Sequence, residues 1–329
     1  MNPRVCIIGG GGTVGSAAAF RLAALGIAEE VVLLDARANM AQSHAMDLEQ
    51  AASVMAGTGV RAGTWEDLAG AGIVIFAAGL PERNVASRDE YLAGNLSIVR
   101  EAAGHVASLC PDAVVIVATN PVDVFTAAFA KLTGIDDRHV LGYSLNDTLR
   151  LRWAVARVLG ESARDVEALV LGEHGEMQVP LFDRISVRGR PVVLTAGQER
   201  EADVSIRSWF TTYQGLNSGR TSGWTSAVGL ATVVGAIVEG GSEILPASAV
   251  LHGEYGVTGV SLGVPVRLGS RGVEEVVELP LTAAQSSAFH AAARKIGELL
   301  DGVMGTVGGQ GGESSALGEA ADAGRKGGV

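Results

Sequence analysis

Cysteine is nearly absent from this chain of 329 residues: it has two, Cys6 and Cys110, lying in or beside apolar runs and forming no Cys-x-x-Cys pair. So little cysteine excludes a disulfide framework, and a reducing cytoplasm is the simplest setting. Aromatic residues are few, at 5%. Long hydrophobic runs are missing too: nothing reaches the roughly 18 apolar residues of a membrane span. The longest runs, Ile73–Ala78 and Ala113–Ala118, have the length of strands. Basic charge is short, 25 Lys and Arg against 36 Asp and Glu, for a net charge of −11 without long single-sign blocks. No basic stripe exists to neutralise phosphates, which excludes a general nucleic-acid binder. Met1-Asn2-Pro3-Arg4 leads straight into a strand-like run, without the pattern of a signal peptide.

What the chain does have is glycine, 45 residues, roughly double the usual share. There is no Gly-X-Y period. Hydrophobic residues make up 47%, enough for a large core, so a wholly disordered chain is excluded. The length suggests about two domains.

The first half alternates short β-branched runs, Val5–Ile8, Val31–Leu34, Ile73–Phe76 and Val114–Val117, with alanine-rich stretches such as Ser16–Leu25 and Asn95–Leu109. Strands buried on both faces need no polar alternation, and parallel strands need crossover helices, so the pattern implies an α/β fold with a parallel sheet of Rossmann type. His139–Gly142 is one further short strand. The texture then changes, and the domain boundary is placed near residue 142. Beyond it come an amphipathic helix at Asp147–Leu159, a strand at Val166–Leu171 and a long helical region from Asp203 to Glu239. Turn-rich strands follow from Gly253 to Leu279, then a final helix at Thr282–Leu300. This gives a parallel-sheet domain over 1–142 and an α+β domain over 143–301. Residues 302–329, with 10 glycines in 28 positions, cannot offset the entropy of ordering, so a flexible tail is expected there.

Gly10-Gly11-Gly12-Thr13-Val14-Gly15 follows the first strand and opens a helix. The Gly-x-Gly-x-x-Gly spacing lets the chain turn tightly, brings backbone close to a pyrophosphate and aims helix N–H groups at the anion. Asp35 ends the second strand 20 residues after Gly15, where a carboxylate accepts hydrogen bonds from an adenosine ribose diol and repels a 2′-phosphate. NAD is therefore favoured over NADP, although Arg37 leaves room for some NADPH. Gly10, Gly12, Thr13, Val14, Gly15 and Asp35 are the candidate cofactor residues on this reading.

His174, in Glu173-His174-Gly175-Glu176, closes the strand that begins at Val166. Asp147 and Arg150 are one helical turn apart on the preceding helix and share a face. A carboxylate against an imidazole raises its pKa and fixes its tautomer, as a proton donor near neutrality requires. Arg150 offers a planar fork for a substrate carboxylate. Asn120, in Asn120-Pro121-Val122-Asp123, follows the strand Val114–Val117 and projects from the carboxyl end of the sheet, where ligands of open α/β sheets bind.

These motifs occur in a set order. The glycine loop, Val31-Val32-Leu33-Leu34-Asp35, Ala77-Ala78-Gly79-Leu80-Pro81 leading to Ser87-Arg88, and Thr119-Asn120-Pro121-Val122-Asp123 come first. Asp147-Thr148-Leu149-Arg150, Gly172-Glu173-His174-Gly175-Glu176, and Gly253-Glu254-Tyr255-Gly256 with Gly263-Val264-Pro265 follow. From about Arg4 to about Leu300 the chain resembles the NAD-dependent lactate/malate dehydrogenases, the L-2-hydroxy acid dehydrogenases. The resemblance implies reversible reduction of a 2-oxo acid by NADH, with His174 as proton donor, Asp147 stabilising its imidazolium and Arg88 polarising the carbonyl on a closing loop. Arg150 would hold the substrate carboxylate, and Asn120 would orient the reacting oxygen. Ala78, Gly79, Asn95, Thr119 and Asn120, which would also contact the nicotinamide side, join the implied cofactor residues. A homodimer or homotetramer is implied as well, with no metal, membrane or nucleic-acid partner.

The pattern departs from the family at the substrate selector, six residues before the loop arginine, where Glu82 stands. Glutamate would repel a second carboxylate by on the order of 4 kcal/mol at about 4 Å and an effective dielectric of about 20, before relaxation. A substrate with a cationic or donor-bearing side chain is one reading. The other is that Arg83, shifted by one, takes the selector role, as in a malate dehydrogenase. The connection Tyr143-Ser144-Leu145-Asn146 is one residue short, and in Gly219–Ser226 any of Thr221, Trp224 and Thr225 is a candidate to face substrate. No tyrosine has a lysine four residues on, against a short-chain reductase. No cysteine or histidine pair supports a metal-assisted NAD-dependent glycosidase. From another class, a catalytically idle NAD-binding sensor or assembly protein would bind NADH without turnover.

Overall fold

A computed structural model of the chain describes residues 3–80, 88–241 and 243–305, without the side chains of residues 88–91. Five strands of the first half, β1 (Arg4–Ile8), β2 (Glu30–Leu34), β3 (Gly59–Ala62), β4 (Ile73–Phe76) and β5 (Val114–Val117), form a parallel sheet, and β6 (Val140–Gly142) adds a sixth. Their order, β3-β2-β1-β4-β5-β6, is that of a dinucleotide-binding Rossmann sheet.

The absence of polar alternation has a direct cause. Along β1, Val5 and Ile7 face one core while Cys6 and Ile8 face another, and β2, β4 and β5 divide in the same way. On the first face lie α1 (Thr13–Leu25) through Ala18, Ala19 and Leu22, and α2 (Ala38–Ser53) through Ala41 and Ala45. On the second face lies α3 (Arg88–Leu109) through Val99, Ala102, Ala103 and Val106. The helix α4 (Val122–Thr133) contributes to both, sending Val124 and Ala128 one way and Phe125 and Phe129 the other. Fully burying a valine or isoleucine side chain stabilises by roughly 1.5–3 kcal/mol, so both faces of these short strands hold the sheet together.

Beyond residue 142 the sheet continues without a break. β12 (Ile244–His252) runs antiparallel to β6 through the pair Ser248 and Gly142, and β13 (Thr258–Gly269) pairs with β12. Next come β8 (Val170–Gly172), β9 (Gln178–Pro180) and, on β13, β14 (Gly272–Val276). A separate small sheet joins β7 (Val166–Glu167), β10 (Ser186–Val187) and β11 (Arg190–Pro191). Helix α5 (Leu145–Leu159) packs Leu151, Ala154 and Val155 against Ala202 and Ile206 of α6 (Ala196–Gly215). Helices α7 (Trp224–Glu239) and α8 (Ala283–Gly305) complete the chain's regular structure among the described residues. None of these helices is long and apolar enough to cross a membrane.

Four details depart from the sequence reading. The helical region expected over Asp203–Glu239 is two helices: α6 starts at Ala196, where Thr195 and Gln198 form a reciprocal capping box. It ends before Asn217 and Gly219, both at positive φ. The strand expected at Val166–Leu171 is two, because β7 joins the small sheet and β8 the large one. Strand pairing of the last part begins at Ile244 rather than Gly253. Residues 302–305, expected in the tail, are the end of α8, held there by Val303 buried against the core. Residues 306–329 lie outside the described residues.

Candidate active site

The first turn of the dinucleotide loop depends on a residue the sequence reading passed over. Gly9 has φ +89, and a Cβ there would stand 2.6 Å from the backbone of Ala77 and Ala78. The glycine loop thus passes directly over the end of β4, and a Cβ on Gly15 would lie 2.3 Å from the Gly9 carbonyl oxygen. Only a chain bare of side chains at both positions fits. Gly12 caps α1, whose first residues are Thr13, Val14 and Gly15. Asp35 sits beside this loop: Gly11 N–H donates to Oδ2 and Arg37 N–H to Oδ1, each at 2.9 Å. The Arg37 guanidinium lies 3.6 Å from Oδ1 and also donates to the Gly11 carbonyl.

Across the sheet end, the Thr119 hydroxyl donates to the Ala78 carbonyl at 2.7 Å. Asn95, fully buried, accepts the Leu80 N–H at 2.7 Å. A Cβ on Gly79 would press on both Asn95 and Thr119 at 3.0 Å. Ala78, Gly79, Asn95 and Thr119 are therefore one hydrogen-bonded unit beside the glycine loop. Asn95 Nδ2 is buried without a partner among the described residues. A bare glycine cradle, a carboxylate at its edge and this spare donor together fit a dinucleotide. Asn120 follows at the sheet's carboxyl end, exposed, and its peptide bond to Pro121 is cis.

The cluster around His174 is assembled from three elements. Asp147, in the first turn of α5, places Oδ2 2.6 Å from His174 Nδ1 and Oδ1 3.4 Å from an Arg150 nitrogen. His174 follows β8, on a loop braced by Glu173, whose carboxylate accepts the Met177 N–H and pairs with Lys295 of α8 at 2.7 and 2.9 Å. A second carboxylate, Asp123 of α4, lies beneath. Its Oδ2 accepts the His174 backbone N–H at 2.7 Å and its Oδ1 the Ser248 hydroxyl at 2.6 Å, while Ser261 donates to its carbonyl. Burial pushes Asp123 up from 3.8 to about 6, against the hydrogen bonds from Ser248 and His174 that pull it down. For His174, burial favours the neutral ring, but the charges of Asp147 and Asp123 and the Asp147 hydrogen bond outweigh burial and Arg150, so its pKa is raised above 6.5. With Nδ1–H donating to Asp147, the other ring nitrogen is the one free to act as acid.

Other candidates fall differently. The segment before α7 abuts the start of α1, since a Cβ on Gly223 would lie 2.9 Å from Thr13 Cγ2. Thr221 is exposed, and Thr225 is half-buried with its carbonyl accepting the Tyr143 hydroxyl at 3.3 Å. Trp224 is 67% exposed and carries the Arg220 guanidinium over its ring. The aromatic ring that faces Arg150 is instead Trp209 of α6, 4.3 Å from the guanidinium carbon. Arg88 is the first residue of α3, its side chain outside the described residues, as are Glu82 and Arg83 altogether. Among the described residues, no three His, Cys, Asp or Glu side chains gather as metal ligands. Sequence reasoning assigned no role to Gly9, Asp123, Ser248, Trp209 or Lys295.

Residues 3–142 match the NAD binding domain of lactate/malate dehydrogenases, and residues 145–304 match the α/β C-terminal domain of the same family. The malate dehydrogenase of Nitratiruptor is 35% identical, covering 91% of this chain and 96% of its own length. The L-lactate dehydrogenase of Allorhizobium ampelinum is 36% identical, covering 80% and 88%. Among solved structures, the minor L-lactate dehydrogenase of Enterococcus mundtii superposes with a TM-score of 0.86 at 28% identity, over 92% of this chain and 98% of that one. Fold and family together define an NAD-dependent oxidoreductase acting on the CH–OH group of its donor. The chain belongs to the lactate/malate dehydrogenase family.

Proposed function

We propose that the protein interconverts a 2-oxo acid and an L-2-hydroxy acid, with His174 as the acid and base of the reaction. The observation that carries this reading is Asp147, which holds His174 Nδ1 at 2.6 Å with one oxygen and faces Arg150 with the other. One carboxylate thereby joins a proton donor to a carboxylate binder. NAD, held by the Gly10–Gly15 loop, Asp35, Ala78, Gly79, Asn95 and Thr119, supplies and accepts the hydride when bound.

Arg150 receives the substrate carboxylate on its planar fork and so fixes the reacting carbon relative to His174. His174, whose imidazolium two carboxylates favour, gives its outer proton to the carbonyl oxygen. In the reverse direction the neutral ring takes that proton back. Asn120 orients the oxygen, and Arg88 polarises the carbonyl as the loop before α3 closes and excludes water. Relatives bear both the malate and the lactate name, so the substrate side chain rests on the loop sequence. Glu82, six residues before Arg88, is the proposed selector, accepting a cationic or donor-bearing side chain. Self-association is part of the proposal: exposed Phe20, Met46 and Val228 are carried by α1, α2 and α7, and α1 packs on both of the others.

Initial rates of NADH oxidation across oxaloacetate, pyruvate, branched, aromatic and basic 2-oxo acids test the reading, with Glu82→Gln and Arg83→Gln alongside. A basic or donor-bearing acid with the highest kcat/KM, lost in the Glu82 variant, supports Glu82. Preference for oxaloacetate that disappears in the Arg83 variant makes this a malate dehydrogenase with a shifted selector. NADH binding without turnover on any acid would leave an idle NAD-binding protein.

A further inference from the structure

Arg150 is a long side chain with several rotatable bonds, and the half-buried pocket around it does not by itself define the plane of its guanidinium. Two contacts do. Asp147 Oδ1 meets one terminal nitrogen at 3.4 Å, and the Trp209 ring lies beneath the group, 4.3 Å from centroid to Cζ. The ring is itself stacked on Tyr213, 5.0 Å away and tilted by 12°. Arg150, Trp209 and Tyr213 thus form a continuous column.

The column has a structural origin in α6. Ala202 and Ile206 pack into the core against α5, and Trp209 follows Ile206 by three residues, on the same face one turn on. Beyond Arg150 along α5 lies Leu151, part of that same core. The α5/α6 packing therefore delivers the indole to the guanidinium. The helix is also tied to the proton donor: Arg207 donates to the Glu176 carbonyl at 3.1 Å, on the loop that carries His174. One helix thus reaches both the carboxylate binder and the loop of the acid.

We infer that Trp209 is a positioning residue for substrate binding, holding the Arg150 guanidinium in the plane in which it grips the carboxylate of a 2-oxo acid. The inference rests on the reading of Arg150 as that group. A flat aromatic surface attracts the cation and removes its rotational freedom, so the substrate meets a fork already set.

The test uses the full chain with the best 2-oxo acid of the panel, and oxamate, which presents a carboxylate and a carbonyl but accepts no hydride. Trp209→Leu raises KM and the oxamate Kd at saturating NADH by about tenfold, with the KM rise at least five times any fall in kcat and the NADH Kd unchanged. Trp209→Phe, which keeps a flat ring, stays within about threefold of the parent. A Leu variant with KM within twofold of the parent, or a Phe variant as impaired as the Leu one, overturns the proposal. Arg150→Gln separates the two readings. If it raises KM strongly while Trp209→Leu does not, the column alone is wrong. If it leaves KM unchanged, the reading of Arg150 fails and this inference with it. Should the Leu variant not bind NADH, the parent decides: oxamate must change tryptophan emission by an amount that Trp209→Phe loses, and an equal change in both overturns the proposal.

Discussion

Asp123 is a carboxylate without exposure, and its ionisation at neutral pH carries a cost that substitution can read. Its pKa lies near 6 against 3.8 for an unburied group, because burial outweighs the hydrogen bonds from Ser248 and His174. At about 1.4 kcal/mol per tenfold, keeping it ionised above pH 6 removes roughly 3 kcal/mol of folding stability. The sign follows from proton counting. Between pH 3.8 and 6 the folded protein holds the proton that the unfolded chain has released, so the Asp123 contribution to stability falls as pH rises through that window and is level above it. His174, whose pKa is raised, adds little slope over most of that window, because its contribution changes only where the unfolded imidazole loses its proton, around pH 6.5 and above. Asp123→Asn keeps both hydrogen bonds if the Ser248 hydroxyl turns to accept from the amide, and it removes the charge. Urea unfolding of parent and variant from pH 4 to 8 measures the difference, in which exposed carboxylates cancel. The variant matches the parent near pH 4 and exceeds it by up to about 3 kcal/mol above pH 6. A variant less stable than the parent at pH 7.5 by more than about 1 kcal/mol would refute the reasoning, since the charge would then be stabilising the fold through His174. The same substitution lowers the pKa of His174, because Asp123 is one of the charges that raise it. The fall in the rate of oxo-acid reduction with rising pH therefore moves to lower pH. The charge has a function that its cost to folding would not predict.

Asp147→Asn removes the larger charge acting on His174, so the same limb of the pH–rate profile moves further down and kcat for reduction at pH 7.5 falls by about 10²–10⁴, with the NADH Kd unchanged. Gly9→Ala places a Cβ against the Ala77 backbone at a positive φ and lowers stability on the order of 2–4 kcal/mol. Thermal unfolding without cofactor reads that loss. Lys295→Met leaves the Glu173 carboxylate, 9% exposed, without its cation and costs about 3 kcal/mol at neutral pH, a loss that urea unfolding reads.

The first half of the fold was legible because its strands are buried on both faces, so Val5–Ile8 and Val114–Val117 carry their assignment in four consecutive residues. The second half was legible only in part: β13 and β14 fall within the expected Gly253–Leu279 strands, while β12 was not expected. β12 contains Pro246 and β13 contains Pro265, and a proline argues against a central strand. The two face each other in register, which suits an antiparallel pair that exchanges no hydrogen bonds, where neither ring displaces a ladder N–H. That compensation exists only between strands and has no trace within either segment. The site divides along the same line. Asp147 and Arg150 are one turn apart, and Gly15 and Asp35 are separated by a single crossover, so local spacing places them. Asp123 meets Ser248 and His174, and Glu173 meets Lys295, across 51 to 125 residues of chain, where no periodicity reaches. Trp209 is an intermediate case: its helical spacing from Ile206 is visible, but the partner of its face is decided by α5. A motif names the groups that touch substrate and cofactor because chemistry constrains their type. The charges and rings that set their pKa and their plane are constrained only by the packing that brings them there.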